Sequence, residues 1–114
     1  MKEPQAARGV EPPEPFRAFA AKYPKVVDAY ERFGEAVRAA GPLTPREVAL
    51  AKFAISVGAR MQGSAHAHAR KALAQAIDRA ALEHVALLSA PTIGFPNMMA
   101  ALGWVRDVLP ASDG

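Results

Sequence analysis

Alanine fills 26 of the 114 positions and is spread along the chain rather than gathered in one tract. It is the best helix former, and β-branched residues are few beside it. A chain built this way is expected to be all-α. The residues that fill space are fewer: nine Val, eight Leu, three Ile, four Met, five Phe, two Tyr and one Trp. Such a core buries little area per residue. At about 25 cal/mol per Å² it leaves a lone chain marginally stable, so self-association is expected.

Several classes are excluded. The chain has no cysteine, which removes disulfides, thiolate metal sites and thiol nucleophiles together. No apolar run approaches the ~18–20 residues of a membrane-spanning helix, and no charged-then-apolar leader opens the sequence, so a cytoplasmic protein without a membrane partner is expected. A net charge of +3, with no basic cluster interleaved with aromatics, argues against a nucleic-acid partner. There is no Gly-rich phosphate loop and no ligand cluster, so neither cofactor nor metal is expected. One stretch is locally cationic: 44–79 carries six Lys/Arg against Glu47 and Asp78. Solvated helix faces account for such an imbalance, and so does a pocket tuned for an anion.

Punctuation divides the chain. Residues 1–15 hold four of the ten prolines and read as an extended arm. A single helical domain is expected over 16–110, with 111–114 as a tail. Six helices follow from the breakers. The first covers 16–23. The second, 24–40, opens at Pro24 and stops at Gly41, with Val26, Tyr30, Phe33 and Val37 as one apolar stripe. Thr44-Pro45-Arg46-Glu47 is a capping-box helix start. The helix it opens, to about residue 59, is apolar on nearly every side and is expected to be buried. Its exception is a stripe at i+4: Lys52, Ser56, Arg60. The fourth helix covers 61–76. Asp78 caps the fifth, which ends before Pro91. After a turn through Gly94 and Pro96, the last runs over 97–109.

Chemistry concentrates between Met61 and His68. Met61, Ser64 and His68 recur at i, i+3 and i+7 and share one helix face. His66 points about 160° away from His68, so the pair cannot chelate one metal ion. Ser64 and His68 at i, i+4 are spaced to hydrogen-bond. A serine nucleophile would also need an orienting acid and oxyanion donors, and neither is evident. His68 reads either as a structural histidine or as an acid–base group.

The order of these signals resembles the carboxymuconolactone decarboxylase-like and alkyl hydroperoxidase D-like proteins. Leu43-Thr44-Pro45 matches their helix start. Gly58-Ala59-Arg60 leads into their Cys-x-x-Cys-x-x-x-His segment, His68-Ala69-Arg70-Lys71-Ala72-Leu73 completes it, and Gly94-Phe95-Pro96 looks like their later turn. The resemblance covers about 26–109 and implies a six-helix fold in a trimer or hexamer. Two departures matter. The family's cysteine positions fall on Met61 and Ser64, and the glutamate that activates the thiols falls on Ala49. A thiol peroxidase cycle needs one thiolate to attack and a second thiol to resolve, so that activity is excluded here. The decarboxylase branch lacks the cysteines and keeps the histidine. That branch implies a cofactor-free lyase or isomerase acting on a small carboxylate. His68 would be the acid–base group, Ser64 would orient it or the substrate, and Lys52 or Arg60 would clamp the anion beside Met61 and Trp104. The alternative is a non-catalytic oligomer that binds a ligand or partner, in which Lys52 and Arg60 reach solvent and Trp104 is core.

Overall fold

The computed structural model describes residues 14–109. The predicted arm, apart from its last two residues, and the tail lie outside them. The described residues form six helices of nine or more residues and one short helical turn, with no strand among them: α1 (Glu14–Lys22), α2 (Pro24–Ala39), α3 (Pro45–Gly58), α4 (Gln62–Ala74), α5 (Arg79–Leu88), the four-residue α6 (Ala90–Ile93) and α7 (Phe95–Asp107). No helix among them is long and apolar enough to cross a membrane.

The local signals act as the sequence suggests. Thr44 Oγ1 accepts from the Glu47 amide at 3.1 Å, and the Glu47 carboxylate accepts from the Thr44 amide at 2.9 Å. Asp78 accepts from the Ala81 amide at 3.0 Å. Both caps satisfy amides that a helix start leaves unpaired.

The breakers behave differently in three places. α1 begins two residues before 16, because proline is tolerated in a first helical turn and Glu14 pairs with Arg17 at 2.9 Å. Gly41 is not a left-handed stop; α2 closes on Ala40 in right-handed geometry. The proline that follows Gly41 favours extended backbone there. The expected turn before α7 contains the short α6, and Gly94 beyond it sits at φ +107° and ψ 149°. That region is open essentially to glycine alone. Gly94→Ala is therefore expected to cost about 1–3 kcal/mol, read as a lower thermal midpoint with helix content unchanged below it.

α3 and α4 pack together, and α5 and α7 close around them. Phe53, Leu82 and Val105 are the large side chains fully removed from solvent, set among Ala65, Ala69, Ala72, Ala86 and Ala101. Alanine thus serves close helix approach as well as propensity. The expectation of an all-round buried α3 is corrected. Its inner face holds Ala49, Phe53, Ser56 and Val57, but Ile55 is 68% exposed, because no element among the described residues covers the outer face.

α1 and α2 pack on each other and bury no residue. The α2 stripe of Val26, Tyr30, Phe33 and Val37 stays 54–68% exposed. The radius of gyration is 14.7 Å, against about 13 Å for a compact chain of this length.

Candidate functional site

Residues of three helices line a cavity of about 390 Å³ that is open to solvent. α2 contributes Glu35, Arg38 and Ala39. The start of α3 contributes Pro45, Val48, Ala49 and Lys52, with Leu43 before it. α4 contributes His68, Lys71 and Gln75. The spacing explains the wall. Ala49 and Lys52 are i, i+3 on α3, and His68, Lys71 and Gln75 are i, i+3, i+7 on α4, so each helix turns one stripe inward.

The wall is cationic. Arg38, Lys52 and Lys71 meet a single carboxylate, Glu35, among the lining residues. No ion pair joins any of the three cations to an acid among the described residues. Burial, then Lys71 and Arg38, lower the pKa of Lys52. The effect on His68 is larger. Burial, then the charges of Lys52 and Lys71, lower its pKa from 6.5 to about 4, so the imidazole is neutral at pH 7.

This shift links stability to pH. In the unfolded chain His68 binds a proton near its ordinary pKa; in the folded chain it does so only near pH 4. Between those values the unfolded state holds more protons, so the contribution of His68 is full above about pH 6.5 and is lost as pH falls toward 4. The thermal midpoint should fall less steeply in His68→Gln than in the wild type between about pH 6.5 and 5. Equal slopes would show that His68 does not titrate abnormally.

The other predicted residues lie apart from the cavity wall. Ser64 does not hydrogen-bond to His68. Its hydroxyl is 2.7 Å from Ser56 Oγ, and Ser56 donates to the Lys52 carbonyl at 3.0 Å. A serine hydroxyl has one proton to donate, so Ser64 is the donor of the pair. The two serines tie the start of α4 to α3. Arg60 falls beyond the end of α3 at φ +61° and is exposed, so the i+4 stripe from Lys52 breaks before reaching it. Met61 is the extended residue before α4 and is 58% exposed. Trp104, on α7, is partly buried against the core and is not among the lining residues. His66 turns away from His68, as the helical angle requires, and pairs with Asp107 at 3.0 Å. No group of three or more His, Asp or Glu side chains that could hold a metal ion occurs among the described residues.

Sequence reasoning passed over Arg38, Lys71, Glu35 and Gln75. Lys71 had a signal, three residues after His68 on the same face. Arg38 had none, because nothing local brings the end of α2 to α4.

Ala49, which the resemblance matches to the activating glutamate, lies in the cavity wall with His68. Met61 and Ser64, which it matches to the two thiols, are not among the lining residues. Residues 24–107 match the sequence model of the carboxymuconolactone decarboxylase family. No curated protein and no solved structure matches the chain.

Proposed function

Because this chain belongs to the carboxymuconolactone decarboxylase family, we propose that it is a cofactor-free enzyme of the lyase or isomerase type acting on a small carboxylate. His68 is its acid–base group. The observation that carries this reading is the cavity in which one neutral imidazole sits among Arg38, Lys52 and Lys71. Loss of carbon dioxide from a carboxylate leaves an electron pair on the substrate as an enolate. Cations at the carbonyl oxygen that becomes the enolate stabilise the charge as it develops, and an acid beside it returns a proton to carbon. Lys52 keeps the clamp role. Lys71 and Arg38 take the share first assigned to Arg60. Ser64 positions α4 through Ser56, while Met61 and Trp104 stand outside the cavity. A thiol peroxidase cycle is not available to a chain without cysteine.

The test is a panel of small carboxylates and lactones scored by thermal shift, followed by turnover of any stabilising compound in wild type and His68→Ala. General acid–base catalysis contributes about 10²–10⁴-fold, so turnover should fall by that order in the variant. Equal stabilisation of both proteins with no turnover in either would favour a non-catalytic ligand-binding protein instead.

We also place the chain in a homo-oligomer, a trimer or hexamer as the family resemblance implies. The exposed stripe of α2 and the exposed face of α3 support this reading, since contiguous apolar surface of this kind marks contact sites. Light scattering after gel filtration tests it: the mass of three or six chains is expected, and that of one chain contradicts it.

A further inference from the structure

The cavity holds an unbalanced charge that a bound anion would change. Arg38 on α2, Lys52 on α3 and Lys71 on α4 line the same cavity as His68, the two lysines act on its ring, and Glu35 is the one acid among the lining residues. A proton on His68 in the empty cavity would add a fourth positive charge to a partly buried wall. A carboxylate seated among the cations reverses that balance. It cancels their field at the ring and supplies an acceptor for the imidazolium.

We propose that an anion entering this cavity is bound together with a proton, taken from solvent onto the His68 imidazole. No other bond forms or breaks in the step. The inference deepens the carboxylate reading above and rests on it. It also says how one histidine serves as an acid at neutral pH. The proton is absent until the anion arrives, so the acid is armed only in the occupied site. In the empty cavity, burial and the two lysines hold the His68 pKa at about 4. Linkage is reciprocal: if the anion raises the proton affinity of His68, acid raises the affinity for the anion by the same factor.

The experiment uses fumarate, whose two carboxyl groups are ionised over all but the acid end of the range, and its affinity is compared above about pH 5.5. Histidine ring resonances of the whole chain are followed by NMR from about pH 5 to about 7.5, with and without saturating fumarate. Fumarate affinity is measured by calorimetry over the same range in wild type and His68→Gln. In the empty protein the ring of His68 should not titrate in this range, and on saturation it should show a midpoint of about 6 or above. Fumarate Kd in the wild type should tighten toward tenfold for each pH unit of acidification between the empty and occupied pKa values, and stay flat in His68→Gln. If fumarate binds but His68 does not move, and wild type and His68→Gln show the same pH dependence of Kd, the coupled proton is refuted and the anion site stands. If fumarate perturbs nothing in the cavity of either protein, the carboxylate reading fails and the coupled proton fails with it.

Discussion

Phe53→Ala is expected to lower stability by about 3–5 kcal/mol. Phe53 has no exposed surface and belongs to the same buried cluster as Leu82 and Val105. Its neighbours include several fully buried alanines, which have no side-chain length with which to close a hole. The loss should therefore lie toward the upper end of the range, since the cost rises with the cavity left behind. Domains of this size have only about 5–15 kcal/mol to lose. The midpoint of thermal unfolding, followed by circular dichroism, should drop by about 15 °C or more. Ile55→Ala on the same helix is the control. Ile55 is 68% exposed, so its removal should cost no more than about 0.5 kcal/mol in a lone chain. A cost near that of a core residue would mean that this face is covered by another chain in solution.

The second large effect concerns the cavity. Replacing Lys52 and Lys71 together by methionine should weaken carboxylate binding by about 10²-fold, because hydrogen bonds to charged groups contribute about 1.5–3 kcal/mol each and this site is open to solvent. The pKa of His68 should move in the opposite sense. Two of the three causes that depress it are the charges on these lysines, and the largest, burial, remains. It should therefore rise from about 4 without regaining 6.5. The double variant should fold at least as well as the wild type, since it removes repulsion between like charges and breaks no ion pair. Weaker binding by a destabilised protein, with the His68 pKa unmoved, would show instead that the lysines only hold the fold.

What the sequence made legible follows the range of the interactions involved. The Thr44 capping box and the Asp78 cap use atoms within three residues, so a reading along the chain finds them. The two faces of α4 were also legible, because 100° per residue separates His66 from His68 wherever the helix packs. Partners were not legible. The stripe from Val26 to Val37 has the period of a core-facing helix, but the period does not say what covers it, and nothing in the described chain does. Lys52, Ser56 and Arg60 looked like one stripe because the spacing assumed that α3 continues; it ends at Gly58. Arg38 joins Lys52 and Lys71 only through the packing of three helices. The position that the resemblance matches to the activating acid is the most informative case. The family register placed it at Ala49, and the fold puts that position in the same wall as three cations, which no pattern in one helix reveals.

The central claim is that this wall receives a small carboxylate beside His68. A crystal structure of the chain soaked with fumarate tests it most directly. The account predicts a carboxylate group within hydrogen-bonding distance of Lys52, Lys71 and Arg38, with a ring nitrogen of His68 facing the anion. A cavity closed by its own side chains, with fumarate absent from it or bound only elsewhere, would contradict the account.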